Sequence, residues 1–324
     1  MVGVAAMVLA AVGGAVALVA GAPPAVRGAA STPDVTPSIA TPAATKTTPV
    51  TSGAAPSASA TSPSASTPQT TRSSPVTARS AKKGVSTWDF SGVSTALRDV
   101  GAAWYYNWSA GPTAGAGTSA EFVPMIWGAG SVTAANLDRA KKSGTVLLGF
   151  NEPDFADQSN LSVEQALDLW PQLQATGLRL GSPAPAVGAA TAGGWLDRFL
   201  TGAAQRGLRV DFITVHWYGS DFSGAAVDHL RGYLQAIYDR YHKPIWLTEF
   251  ALIKFTGSGS VYPSDSQQVA FIRGATAMLE KLTFVQRYAW FALPTPDGRD
   301  GTGLYRHGSA VTATPAGTAY RAAG

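Results

Sequence analysis

The sequence predicts an α/β fold, a (β/α)8 TIM barrel, preceded by an apolar N-terminal segment and a disordered linker rich in Ser, Thr, Pro and Ala. Three observations carry that prediction. About 243 residues, from Lys82 to Gly324, have globular composition, close to the roughly 250 typical of such a barrel. Eight short apolar runs alternate along them with amphipathic stretches, the pattern of parallel strands joined by crossover helices. No Gly-x-Gly-x-x-Gly turn follows the first run, which argues against a dinucleotide-binding sheet.

The elements follow in chain order. Residues 1–22 carry no charge and are dominated by Ala, Val, Gly and Leu, long enough for a span of about 20 residues. No basic residue precedes the apolar run, and Ala20-Gly21-Ala22 is followed by Pro23 and Pro24, a poor context for cleavage. A secretory signal peptide and a membrane anchor therefore both stand. Either exports the domain, so a secreted or extracellular location is expected, with attachment to membrane or cell wall as the anchored form.

Residues 23–81 have almost no large apolar side chains. Such a segment cannot bury enough surface to offset chain entropy and is expected to stay disordered. It reads as a stalk able to carry O-linked sugar, or as a plain spacer. Up to Ala81 the only acidic residue is Asp34, against Arg27, Lys46, Arg72 and Arg79, so this stretch holds three of the chain's formal net charge of +4. The domain from 82 to 324 is close to neutral, and nucleic acid is not an expected partner. There are no cysteines, and the four histidines show no metal-ligand spacing. No metal, no cofactor and a monomer are expected.

The predicted strands are Gly84–Trp88, Ala103–Asn107, Phe122–Trp127, Val146–Asn151, Leu178–Pro183, Phe212–Trp217, Ile245–Phe250 and Tyr288–Phe291. Several are nearly continuous apolar, as strands buried on both faces should be. Helical period marks Ser91–Val100, Ala134–Ser143, Val163–Thr176, Trp195–Arg206, Ala225–Tyr241 and Ser264–Leu282. Ser162 and Ser264 look like helix starts, the second with the capping-box pattern of Gln267 three residues on. The Gly- and Ser-rich stretch 110–120 predicts a missing or degenerate helix after the second strand.

Active groups in such a barrel sit at the C-terminal ends of strands. The fourth strand ends Asn151-Glu152-Pro153-Asp154 and the seventh Thr248-Glu249-Phe250. By strand alternation Glu249 shares a face with Leu247 and Ile245, leaving Trp246 and Thr248 toward the helices. A buried carboxylate is costly unless paired or functional, and each glutamate alone could be a structural residue. Two of them facing across one ring are what glycoside cleavage needs: an acid for the leaving oxygen and a second carboxylate at the anomeric carbon. Sugar rings also pack their C–H faces on aromatic rings, and Trp88, Trp104, Trp108, Trp127, Trp217 and Trp290 fall in or beside strand ends. Core packing remains the ordinary role for any one of them, and Trp170, Trp195 and Trp246 read as structural.

Five segments carry a family resemblance. They are Tyr106-Asn107-Trp108, Val123-Pro124-Met125-Ile126-Trp127, Gly149-Phe150-Asn151-Glu152-Pro153-Asp154, His216-Trp217-Tyr218-Gly219 and Trp246-Leu247-Thr248-Glu249-Phe250. The two glutamate segments resemble clan A of the glycoside hydrolases. From about Lys83 to Tyr320 the chain resembles glycoside hydrolase family 128, small barrels acting as endo-β-1,3-glucanases. The resemblance implies that Glu152 is the acid/base, Glu249 the nucleophile, and that Asn151 bonds the sugar 2-hydroxyl. It implies that His216 and Tyr218 orient the nucleophile or touch substrate, and that Trp290 floors the cleaved sugar's subsite. Tyr106, Asn107, Trp108 and Trp127 join them as candidate substrate contacts. No equivalent is evident for the further Arg or His that other families place near the second or third strand. Retaining hydrolysis of β-1,3-glucan by double displacement is the expected activity. Another β-glucan, mixed-linkage or β-1,4, and a catalytically silent glycan-binding module are the alternatives.

Overall fold

The computed structural model describes residues 80–113, 117–256, 259–295 and 301–324. The expected leader (1–22) and nearly all of the expected linker (23–81) lie outside them. Eight segments form a parallel ring. Its strands are β1 (Lys83–Ser86), β2 (Trp104–Tyr106), β3 (Glu121–Phe122), β4 (Val146–Leu147), β5 (Arg179–Leu180), β6 (Ile213–Gly219) and β7 (Ile245–Leu252). An antiparallel hairpin, β8 (Lys254–Thr256) with β9 (Gly259–Val261), intervenes before the eighth ring strand, β10 (Val285–Trp290). Six strands pair continuously in the order β3-β2-β1-β10-β7-β6, and β4 pairs with β5. Single parallel bridges, Met125 to Leu148 and Gly181 to Phe212, join the two groups and complete the circuit.

Helices cover the ring: α1 (Val93–Val100), α2 (Ala134–Ser143), α3 (Val163–Gln174), α4 (Trp195–Gln205), α5 (Ala226–Tyr241) and α6 (Asp265–Lys281). In α1 the buried Val93, Ala96, Leu97 and Val100 form the apolar stripe that the period predicts. Capping boxes start both α3 (Ser162 with Gln165) and α6 (Ser264 with Gln267). No helix occurs between β2 and β3 among the described residues, as the Gly-rich stretch implies. After β10 come a second hairpin, β11 (Tyr305–Arg306) with β12 (Thr312–Ala313), and a helix, α7 (Pro315–Ala322), that periodicity does not reveal.

Two consecutive lysines at the start of β1, Lys82 just before it and Lys83 its first residue, fasten the end of the domain to its beginning. Lys82 Nζ donates to the carbonyls of Leu279, Glu280 and Leu282 at 3.0–3.2 Å, closing the C-terminal end of α6. Lys83 is buried and donates to Tyr320 O at 3.2 Å, to Arg321 O at 3.5 Å and to Ala323 O, closing α7. A cation at a helix C-terminus meets both the unpaired carbonyls and the negative end of the dipole.

One face assignment is corrected. Trp246 does not point toward the helices. It stacks on Phe212 at 4.4 Å and meets Trp104 at 5.3 Å, with the Arg287 guanidinium over its ring at 4.4 Å. Trp104 lies on β2, three strands from β7 round the ring, so this contact crosses the interior. Plain alternation would then turn Glu249 outward. The pairing shows why it is not: Val215 faces Leu247 but His216 faces Glu249, an extra residue that makes a β-bulge at Thr248. The bulge resets the phase and aims Glu249 back inside.

Candidate active site

Glu152 and Glu249 meet at the C-terminal ends of the strands. One carboxylate oxygen from each and a ring nitrogen of His216 all lie within 4.8 Å of one another. Asn151 and Glu152 are carried in by the fourth segment, where Gly149 permits a close crossing. A Cβ there would stand 2.9 Å from Pro183 N and 3.0 Å from Gly181 O. Asn151 bridges to Ala184, and Glu152 N–H donates to Ala184 O at 2.8 Å. Glu152 holds a left-handed backbone (φ 42°), as does Trp108 (φ 56°). For residues other than glycine this costs on the order of 1–3 kcal/mol and tends to occur at functional sites.

Three donors converge on Glu249, which is 4% exposed. Tyr106 OH and Trp108 Nε1 each donate to Oε1 at 2.9 Å, and Tyr218 OH donates to Oε2. Burial first, and then the Glu249 charge, push both tyrosines well above the ordinary phenol range, so they stay neutral donors. His216 is fully buried between the two acids, its Nδ1 2.8 Å from Glu152 Oε1. Its Nε2 lies 3.5 Å from Glu249 Oε1, close enough to feel the charge without forming a hydrogen bond.

Burial pushes the Glu152 carboxyl above its usual range. The hydrogen bond and charge of His216 oppose this, while the Glu249 and Asp154 charges add to it. Burial by itself would lower His216. The Glu249 charge together with the bond to Glu152 outweighs it and leaves the imidazole above its ordinary value. Glu152 and His216 thus each act on the other's titration. With Glu249 they also form the compact carboxylate–imidazole cluster that a metal ion could use among the described residues. Most of their atoms already bond one another or the Tyr and Trp donors, an arrangement suited to holding and passing a proton.

The other expected contacts divide. Asn151 is buried beside Glu152; its Nδ2 donates to Gln158 Oε1 at 3.2 Å and its Oδ1 has no partner among the described residues. Trp127 is half-buried in the stretch that follows β3, its Nε1 also without a partner among the described residues. Tyr106 and Trp108 reach the site through Glu249 and are too buried to face a ligand broadly. Two expectations fail. Asn107 folds its own loop: its Nδ2 donates to Gly111 O and Thr113 Oγ1, and its Oδ1 accepts from Ser109. Trp290 is fully buried on the outer face, against Phe250, Phe271 and Tyr320, with Nε1 bonded to Thr302 O at 2.7 Å. Strand alternation gives the inward place to its neighbour Phe291, which meets Trp108 and Tyr218 edge-on at 5.9 and 5.6 Å.

Residues that sequence reasoning missed complete the rim. Phe255, on the hairpin after β7, is 40% exposed and packs on Tyr218 at 5.4 Å. Gln158 orients Asn151, and Asp154 binds the loop after β5. Asp154 could have been suspected from its place two residues after Glu152, whereas Gln158 carries no sequence signal.

Comparisons with known proteins agree with this geometry. The glycosyl hydrolase catalytic core family matches residues 87–320. A subgroup I endo-β-1,3-glucanase of glycoside hydrolase family 128 from Amycolatopsis mediterranei is similar at 59% identity and TM-score 0.72, over 76% of this chain and 100% of that one. That enzyme has been crystallised with one glutamate changed to alanine and laminaritriose and laminaribiose bound, and with another changed and laminaripentaose bound. A subgroup II endo-β-1,3-glucanase from Sorangium cellulosum is 30% identical at TM-score 0.63, over 75% of this chain and 98% of that one. The alkali-sensitive linkage protein 1 of Schizosaccharomyces pombe is 33% identical over 215 residues, 64% of this chain; the match spans 37% of that relative's length.

Proposed function

This chain belongs to the glycosyl hydrolase catalytic core family and, within it, to glycoside hydrolase family 128; on that premise we propose that it is an endo-acting β-1,3-glucanase that cleaves with retention on a (β/α)8 barrel. The observation that carries the reading is the Glu152–Glu249 approach, with oxygens within 4.8 Å. Retaining enzymes hold their carboxyl groups about 5–5.5 Å apart, and inverting ones leave wider room for a water. The two glutamates replaced in the Amycolatopsis enzyme are 97 positions apart, as are Glu152 and Glu249.

In this mechanism Glu249 attacks the anomeric carbon, and Glu152 gives its proton to the departing glucan oxygen. Glu152 then takes a proton from water, which attacks the same carbon and frees Glu249. Burial favours the protonated form of Glu152 that the first step needs. Tyr106, Trp108 and Tyr218 hold the nucleophile's orientation, and Asn151 Oδ1 is the free acceptor for a sugar hydroxyl beside it. The test is reducing-sugar release and product anomer from linear β-1,3-glucan. Mixed laminari-oligosaccharides of retained configuration are expected. Release only from a mixed-linkage or β-1,4 glucan would keep the mechanism and reject the substrate. Binding without release from any glucan would reject both.

The pH profile gives a second check. A general acid works while protonated, so activity is present below the pKa of Glu152 and is lost as pH rises through it. His216 is the group that pulls this carboxyl down. His216→Gln should therefore raise the Glu152 pKa further and move the alkaline limb of kcat/KM to higher pH. A limb that stays put or moves down would remove His216 from this role.

A further inference from the structure

Glu152 sits in a left-handed backbone, with φ at 42°. A residue other than glycine persists there only where its surroundings over-determine it. The hydrogen bonds around it show what does so. On one side Asn151 N–H donates to Trp127 O at 2.9 Å, and Glu152 N–H to Ala184 O at 2.8 Å. On the other, Phe155 N–H closes on Glu152 O at 3.1 Å and Leu161 N–H on Pro153 O at 2.9 Å. All four join backbone to backbone and demand little of the side chains involved.

Asp154 adds a side chain to this frame. Its Oδ1 accepts from Ala186 N–H at 2.7 Å and its Oδ2 from Val187 N–H at 3.2 Å. Both oxygens of one carboxylate are thus committed to two successive amides, in charge-assisted bonds. The loop that offers those amides follows β5 and is itself held. Ala184 N–H donates to Phe150 O at 2.9 Å, and Tyr241 OH to Ala189 O at 2.8 Å. Pro183 and Pro185 lock two backbone angles in the same stretch. Asp154 therefore ties the chain two residues beyond Glu152 to a stiff neighbour. The head of the Glu152 side chain is held separately, by His216 Nδ1 at 2.8 Å. No step of the double displacement uses Asp154 itself.

We propose that Asp154 is a positioning residue for the general acid, pinning the left-handed turn that aims Glu152 at the departing oxygen. The proposal rests on Glu152 being that acid. An acid must stand within hydrogen-bond reach of the oxygen it protonates, and a misplacement of about 1 Å can cost about 100-fold. That penalty falls only where the leaving group needs the proton, which separates positioning from a general loss of structure. The test is kcat/KM, which follows the first step, on two aryl β-laminaribiosides. Phenol leaves poorly without a proton, whereas dinitrophenol leaves as the anion. Asp154→Ala should lose about 100-fold on the phenyl substrate and less than about threefold on the dinitrophenyl one. Asp154→Asn keeps an acceptor for one amide, so its loss on the phenyl substrate should be smaller and in the same direction. It carries the test should the alanine variant not fold. An equal loss on both substrates marks a merely structural role and overturns the proposal, as does no loss on either. Glu152→Gln, measured alongside, should show the same preference for the dinitrophenyl substrate more strongly. If it treats the two substrates as wild type does, the acid assignment itself fails, and the proposal with it.

Discussion

Glu249→Gln should lose on the order of 10⁴-fold or more in kcat on β-1,3-glucan, the scale of removing a covalent nucleophile, with its thermal midpoint at or above wild type. The amide oxygen can still accept from Tyr106 and Trp108, and the amide nitrogen can donate to Tyr218 O. The variant also removes a buried carboxylate, and functional groups of that kind commonly cost stability. Glu249→Ala would strand all three donors and is the poorer experiment. Glu152→Gln should be comparably inactive on glucan but recover much of the first step on an aryl glycoside, whose leaving group needs no proton. Steady-state kinetics on both substrates with calorimetry on each protein check this. Wild-type-like turnover on glucan in either variant rejects the assignment.

The largest effect on stability is expected far from the chemistry, at Lys83→Met. Lys83 is 2% exposed, and its ammonium closes the carbonyls of the final helix from within β1. Losing charged hydrogen bonds and leaving carbonyls buried should cost about 2–4 kcal/mol. Urea denaturation should show the loss as an earlier midpoint at unchanged slope. Below the transition kcat/KM should equal wild type, because this end of the strand is opposite the glutamates. An unmoved midpoint would mean that the carbonyls find other partners.

Much of the fold was legible because strands buried on both faces have little choice of residue: all eight ring segments show as apolar runs, and α2 lies where period alone puts it. What stayed hidden depends on distance across the ring or on phase along a strand. The bulge at Thr248 leaves no mark in composition, so alternation put Glu249 inside for the wrong reason and sent Trp246 the wrong way. Trp290 shares its strand with residues of either face, and only the pairing decides that Phe291, not Trp290, looks inward. α7 was missed because its Ala- and Gly-rich stripe is weakly apolar, although Thr314-Pro315 is a fair start signal. At the site, carboxylates ending apolar runs stand out by their cost. An aromatic residue does not reveal whether its polar atom meets a sugar or a carboxylate. Tyr106 and Trp108 stand among the candidates from sequence, but their role as donors to Glu249 is found only by those bonds.

Those bonds have a consequence over a full turnover. The groups bonded to Glu249 are a phenol, an indole and a second phenol, with no arginine among them. In the proposed double displacement the carboxylate becomes a glycosyl ester and loses its negative charge, and neutral donors can keep bonding the ester oxygens without stranding a buried cation. The same event acts on Glu152, because the charge of Glu249 is one of the causes that raise it. With that charge neutralised by the sugar, one of the smaller causes that raise the Glu152 carboxyl is removed. Under the proposed double displacement, that loss of charge acts in the direction the second half-reaction requires, alongside the larger effects of burial and His216 on Glu152.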